Sequence, residues 1–186
     1  MNRYFILFLI LVLPVNSFAL IEVDITRGNL NPLPIAVSPL SVDKDSKKSF
    51  EKILKKKDIG LEISTIIENN LKISGLFNPL NKDAFLQAPD IANLKPRFED
   101  WNLIKAQALI TGKVNFINEK LRVEFRLWDV LAGKEMMALA FTTVPNNWRR
   151  VGHIITDKVY ERLTGEKGYF DTRTVSYTHL TLPTKA

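Results

Sequence analysis

The sequence of 186 residues contains no cysteine and only two histidines. Disulfide and thiolate chemistry are therefore excluded, and the domain must draw its stability from its core. No serine-centred nucleophile elbow, histidine pair at metal spacing or glycine-rich phosphate loop occurs. His153 and His179 remain for acid–base work near neutral pH, and we expect His153 to be a surface or hydrogen-bonded residue. The sequence predicts no enzyme activity, no metal site and no cofactor.

Long apolar runs are scarce as well, and the clearest one lies at residues 4–13. It follows a short basic start, is broken by Pro14, and precedes Ser17 and Ala19, small residues at the positions that signal peptidase prefers. An uncleaved anchor is the alternative, but a membrane-spanning helix needs about 20 apolar residues. We predict that residues 1–19 are a signal peptide cleaved after Ala19 and that the remainder is exported to a bacterial periplasm.

Positive charge predominates, with a formal net charge of +6 and a pI near 9.5. Its densest cluster is KDSKKSFEKILKKKD, residues 44–58. Phe50 is the only aromatic residue there and acidic residues interrupt the lysines, which argues against nucleic acid as the partner of an exported chain. We expect a solvated face or a mobile loop, with a specific anionic partner as the alternative.

The segment after the predicted cleavage site, LIEVDITRGNLNPLP, alternates in part between apolar and acidic residues. Pro32 and Pro34 then bracket the entry to a second extended run at residues 35–37. We predict that residues 20–34 form a short detachable strand. Two alternatives remain open: an edge strand or frayed end of this domain, and an extended peptide that adds itself to the sheet edge or groove of another protein.

Three stretches repeat apolar residues at helical spacing. Residues 58–75 run from a capping Asp58 to Gly75, residues 98–105 carry apolar side chains at three-residue steps, and residues 145–163 end shortly before Gly165. The apolar stripe of the first helix consists of Ile59, Ile63, Ile66, Ile67, Leu71 and Ile73. We expect this stripe to pack on the core, as we do Trp101 and Trp148 on the other two helices.

Between the second and third helices the apolar period becomes two. Extended runs at residues 108–110 with 113–117, at 121–127 and at 135–144 predict three strands of an antiparallel meander with one wet face. The predicted fold class is α/β: a two-layer sandwich in which two main helices cover one face of a small mixed β-sheet. This domain is expected to span residues 35–165.

Four stretches of the sequence resemble one known family: SGLFNPL, FEDWNLIKAQALITGKV, RLWDVLAGKEM and WRRVGHIITDKVYERLTGEKGYFDTR. They occur in the order, and at about the spacing, of the amino-terminal domain of the TolB family, the periplasmic members of Tol-Pal systems. The resemblance runs from the signal peptide through Arg173. The tryptophan-centred stretches and LTGEKGYFDTR are too specific for the match to be explained by chance.

The resemblance implies an α/β domain followed by a six-bladed β-propeller, in a protein that bridges the inner-membrane protein TolA and the outer-membrane lipoprotein Pal. It implies that the propeller binds Pal and that the mature amino-terminal segment binds the periplasmic carboxy-terminal domain of TolA, switching between docked and released states. It also implies roles in outer-membrane integrity, in invagination at cell division and in bacteriocin import. Carried over by position, the TolA-binding residues are Leu20, Ile21, Glu22, Val23, Asp24, Ile25, Thr26, Arg27, Gly28, Asn29, Leu30 and Asn31.

The sequence departs from the family after Arg173. The resemblance implies that residues 166–173 begin the linker or strand into the propeller, but the thirteen residues from Thr174 to Ala186 are too few for its blades. We expect residues 174–186 to be a foreign or frameshifted end of a truncated sequence, with a natural short variant as the alternative. The alternative function is a stand-alone periplasmic small-ligand-binding module, which requires a concave apolar pocket.

Overall fold

The fold is known from a computed structural model that describes residues 31–56 and 58–172. The predicted signal peptide, the predicted TolA-binding residues 20–30, His179 and the tail 174–186 lie outside these ranges. No helix in the described ranges combines the length and the apolar character that crossing a membrane requires.

The described residues form six strands and five α-helices. In chain order they are β1 (Leu33–Val37), β2 (Ser41–Val42), α1 (Lys44–Leu54), α2 (Ile59–Ile73), β3 (Phe77–Pro79), α3 (Pro89–Leu94), α4 (Phe98–Leu103), β4 (Ala108–Ile117), β5 (Lys120–Asp129), β6 (Lys134–Thr143) and α5 (Trp148–Thr164). Single 3₁₀ turns lie at Lys82–Ala84 and Pro145–Asn147. The predicted helices at 58–75, 98–105 and 145–163 and the predicted meander are thereby confirmed.

One mixed sheet connects all six strands, in the order β3-β1-β4-β5-β6 with β2 paired to β4. β1 is parallel to both β3 and β4, whereas β4, β5 and β6 are antiparallel neighbours. Parallel neighbours cannot be joined by a tight turn, so the chain crosses over between them. Helices α1 and α2 lie in the first crossover, and α3 and α4 lie in the second. The predicted α/β class with a mixed sheet is confirmed.

The main core lies between one sheet face and helices α2 and α5. Its buried members include Ile35, Ile63, Phe125, Trp148 and Ile155. They come from strands whose inward residues alternate and from helix positions three or four apart, as the two periodicities predict. The predicted stripe of α2 is correct except at its end, because Ile73 is 78% exposed. Helix α2 ends at this residue, and the chain then turns into β3.

A smaller core lies on the opposite sheet face, which the two-layer prediction left uncovered. Trp101 of α4 packs there with Ala36, Leu109 and Val130, and it is 1% exposed. Its Nε1 donates to Oε1 of Gln87 at 3.0 Å. Trp101 and Trp148 are both buried, as predicted, but they belong to different cores on opposite faces of the sheet.

Residues 44–54 form helix α1, where the sequence predicted a solvated face or a mobile loop. Asp43 caps the helix, since its Oδ1 accepts from the amides of Asp45 at 3.1 Å and Ser46 at 2.8 Å. Hydrogen bonds from Ser46 lower the pKa of Asp43, with a smaller contribution from the amide of Asp45. The expectation of a loop was wrong, but the lysines do occupy a solvated face of this helix.

Candidate interaction site

The entry of the chain into the domain is the described part of the predicted TolA-binding site. Of the twelve predicted residues only Asn31 is described, and it is exposed. Leu33 is buried, and its amide donates to the carbonyl of Leu76 at 2.9 Å. The packed domain therefore begins at Leu33, two residues earlier than the predicted boundary at Ile35.

β1 is held along both of its edges. The carbonyl of Pro34 accepts from the amide of Gln107, and that of Ile35 accepts from the amide of Leu80, both at 2.9 Å. An inner strand with both edges paired is among the last parts of a domain to move. β1 thus fixes the point at which the preceding segment leaves the domain.

The exit of the chain is held against helix α5 by a second set of contacts. After the left-handed Gly165, with φ of 75°, residues 166–172 consist of bends and irregular backbone, where the resemblance implied the start of a linker or strand. Asp157 accepts through Oδ1 from the amide of Phe170 at 2.7 Å and through Oδ2 from the amide of Asp171 at 3.0 Å. Both oxygens of this carboxylate therefore bind main-chain N–H groups of the exit segment.

Arg150 forms a bidentate ion pair with Asp171, with N–O distances of 3.0 to 3.2 Å. Phe170 contacts Asp157, and the next residue, Asp171, also reaches Arg150, which lies almost two helical turns earlier on α5. The exit segment therefore runs back along the helix. A Cβ atom at Gly168 would lie 2.4 Å from Cα of Asp157, so this close approach requires glycine. We call Arg150, Asp157, Gly168, Phe170 and Asp171 the exit clasp.

Aromatic rings join the entry of the chain to the exit clasp. The Tyr160 ring packs edge-on against Phe77, Tyr169 and Phe170, with centroid distances of 6.1, 5.6 and 5.9 Å. Burial raises the pKa of Tyr160, and negative charge at Tyr169 and Glu166 adds to the effect.

Phe77 is also the sheet partner of Leu33. The entry and the exit of the domain therefore meet around Phe77 and Tyr160, and this junction is the candidate interaction site.

His153 has a structural partner. Nδ1 of His153 lies 2.9 Å from Nδ2 of Asn70, which also donates to Oγ1 of Thr156 at 3.2 Å. This small network connects α2 to α5. The partner of His153 is the amide of Asn70, whereas a catalytic histidine is usually paired with a carboxylate. Among the described residues no group of three or more His, Asp and Glu side chains is arranged to hold a metal ion.

The helix–sheet interface is filled with side chains. Ile35, Ile63, Leu71, Val123 and Leu127 are each fully buried in it. A small-ligand module needs an apolar cavity that these positions occupy, so the filled interface argues against the stand-alone ligand-binding alternative.

The sequence did not predict the clasp residues Arg150 and Asp157. The stretch LTGEKGYFDTR marked the exit segment as specific, but it said nothing of what the segment touches. Asp157 reaches across thirteen residues to Phe170, and nothing in helical periodicity connects two positions so far apart. The useful signal would have been two features together. One is an aspartate about two turns after an arginine on the same helix, and the other is a segment with glycine and aromatic residues after that helix ends.

Comparison with known proteins relates this fold to one family. The sequence profile of the TolB amino-terminal domain matches residues 21–136. The chain is 80% identical over 174 residues to the Tol-Pal system protein TolB of Pelagibacter ubique (strain HTCC1062). This match covers 93% of the chain but 39% of that relative, so the chain spans about two fifths of its length.

A solved structure agrees with the fold. The crystal structure of TolB from Acinetobacter baumannii matches 82% of this chain and 33% of its own, with a TM-score of 0.61 at 20% identity. The class is thus that of TolB amino-terminal α/β domains. The chain belongs to the TolB family.

Proposed function

We propose that this chain is the amino-terminal part of a non-enzymatic periplasmic component of a Tol-Pal system. The observation that carries the proposal is the 80% identity to a Tol-Pal system protein together with the profile match over residues 21–136. In this proposal residues 1–19 are removed on export, residues 20–34 form the partner-binding segment and residues 35–165 form the domain, whose packed part starts at Leu33. Residues 166–173 lead toward a propeller, and residues 174–186 are foreign to the protein.

The partner proposed for residues 20–31 is the periplasmic carboxy-terminal domain of TolA. An alternating segment binds well by adding a strand to a partner's sheet edge, because its main chain donates and accepts while one face is buried. Support comes from Asn31, the last residue of the segment, which is exposed, and from Leu33, which is buried at the start of a strand paired on both edges. Pal binds the propeller in this proposal, and the whole supports outer-membrane integrity, division and bacteriocin import.

Calorimetric titration with the TolA domain tests the proposal. Deleting residues 20–31 is expected to abolish binding and to leave the free energy of unfolding unchanged. Val23→Pro is the sharper variant, because proline removes a main-chain donor that strand addition needs, whereas the control Val23→Thr keeps the donor and strand propensity. Full affinity in the deletion or in Val23→Pro would refute this binding mode.

Stability measurements on the same variants separate binding from folding. Leu33→Ala is expected to cost about 2–5 kcal/mol because it removes a buried side chain, while Asn31→Ala should change stability little. A deletion of residues 20–31 that lowers stability as much as Leu33→Ala would identify the segment as a structural edge strand. Heat from titration with Pal would place a Pal surface in this chain and contradict the proposed division of labour.

A further inference from the structure

Lysines line the outward face of α1. Lys44, Lys48 and Lys52 follow one another at four-residue steps, and Lys55 at the C-cap continues the row. Positions spaced by three or four residues share one face of a helix, so these four exposed lysines, the lysine ridge, form a row about 16 Å long.

The opposite face of α1 holds the ridge in place. Oγ of Ser46 accepts from the amide of Phe116 on β4 at 2.7 Å. Phe50, which is 1% exposed, packs edge-on against the Phe116 ring with a centroid distance of 5.6 Å. Two anchors one helical turn apart fix the rotation of the helix, so the lysines are presented outward from a rigid base.

The positive charge of the ridge is not neutralised within the domain. α1 and its C-cap hold five lysines against two acidic residues, Asp45 and Glu51. Among the described residues, the ion pairs formed by lysines involve Lys56, Lys82, Lys113 and Lys158, and none involves the ridge. Arg149, stacked on the Trp148 ring at 4.4 Å, adds a cation near Lys56, which contacts the same ring at 5.8 Å.

We propose that the lysine ridge binds the surface of an anionic phospholipid bilayer. Lysine ammonium groups are point charges that suit phosphate headgroups without requiring a fixed geometry. A depression of about 610 Å³ beside the ridge is lined by Lys44, Lys47, Lys48, Glu51 and Asp58, three ammonium groups and two carboxylates, so its net charge is positive.

A lipid surface fits α1 better than an acidic protein does. Protein interfaces are centred on buried aromatic or arginine anchors, and the outward face of α1 offers lysine and glutamate instead. The proposal does not depend on TolA binding.

Vesicle co-sedimentation of the 186-residue chain tests it. Binding to vesicles of phosphatidylcholine with phosphatidylglycerol is compared with binding to vesicles of pure phosphatidylcholine. Binding to the pure phosphatidylcholine vesicles measures the contribution of the uncharged apolar run 4–13. The variant K44Q/K48Q/K52Q is expected to lose about 100-fold in partition coefficient on the anionic vesicles, since each lysine near such a surface contributes about fivefold. Glutamine keeps helix propensity, and thermal melts verify the fold.

The matched control K72Q/K105Q/K120Q removes the same charge from three other exposed lysines, and we expect it to lose less than about threefold. Retained binding in K44R/K48R/K52R would support a charge-based contact. Equal losses in the two glutamine variants, or equal binding to both kinds of vesicle, would overturn the proposal. Tighter binding of the chain to polyglutamate than to the anionic vesicles at the same charge concentration would overturn the proposal and assign the ridge to an acidic protein.

Discussion

The guanidinium of Arg150 donates to both carboxylate oxygens of Asp171: Nε lies 3.0 Å from Oδ1 and Nη2 lies 3.0 Å from Oδ2. The two residues are 21 positions apart, and their pairing holds the exit segment against the first turn of α5. An exposed ion pair of this kind contributes little to stability on its own. The partly buried carboxylate of Asp157, which accepts two amides, is therefore the stronger part of the exit clasp.

Asp157→Ala is expected to release the exit segment without unfolding the domain. The variant leaves the amides of Phe170 and Asp171 without their acceptor, and we expect a loss of about 1–3 kcal/mol. Hydrogen exchange should show those amides unprotected while the amides of β4 and β5 keep their protection. The control Glu161→Ala lies one turn further on the same helix and should leave both readings unchanged. Equal loss of protection in the sheet would show that the exit clasp is part of the global unit.

Trp101→Ala is expected to lower the free energy of unfolding by about 3–5 kcal/mol, because a fully enclosed ring leaves a large cavity. It also removes one of the donors to the buried Gln87. Leu103→Ala is the matched control on the same helix, since Leu103 is 74% exposed. Urea unfolding of the two variants distinguishes them, and a Trp101→Ala curve that coincides with that of Leu103→Ala would contradict the second core.

Tyr160 is expected to make the domain sensitive to alkaline pH. Burial raises the pKa of Tyr160 above its ordinary value of 10.0, so the folded state disfavours the ionised phenol. The stabilisation is complete below the unfolded pKa and is lost as pH rises through the folded pKa. Free energies of unfolding measured from neutral pH to beyond pH 10.0 should therefore fall less for Tyr160→Phe than for the parent.

The matched control is Tyr169→Phe, which removes a half-exposed hydroxyl from the same aromatic group. It should resemble the parent in its alkaline loss more closely than Tyr160→Phe does. Identical pH curves for the parent and Tyr160→Phe would mean that the phenol ionises as freely in the folded domain as in the unfolded chain.

Local patterns predicted the regular elements well. The cap at Asp58, confirmed by the 3.0 Å bond from the amide of Leu61 to Oδ1, and the stop at Gly165 are short-range features that sequence carries directly. Alternation placed the inward side chains of β5 for the same reason, because strand periodicity is a local property. Helix α1 was missed because its buried face consists of little more than Ser46 and Phe50, too weak an apolar pattern among the six charged residues of the helix.

The candidate site was predictable only in part. The resemblance marked residues 20–31, but the point where the domain begins, at Leu33, is fixed by β3 and by Leu76 before it. These pair with β1 only after the chain has passed through α1 and α2. The resemblance implied that the exit begins a linker or strand, without indicating what the exit contacts. In the structure Asp157 satisfies two of its amides, which removes donors that a strand ladder would use.

The sequence by itself determined the α/β class, the ends of the long helices, the inward residues of the meander and the family, because each rests on neighbours within a few turns or on recognisable stretches. Tertiary structure alone decided which sheet face Trp101 covers, that β1 is an inner strand, and that the entry and exit meet at Phe77 and Tyr160. These features depend on contacts between residues far apart in the chain. Such contacts are chosen by how whole elements pack, which no local period encodes.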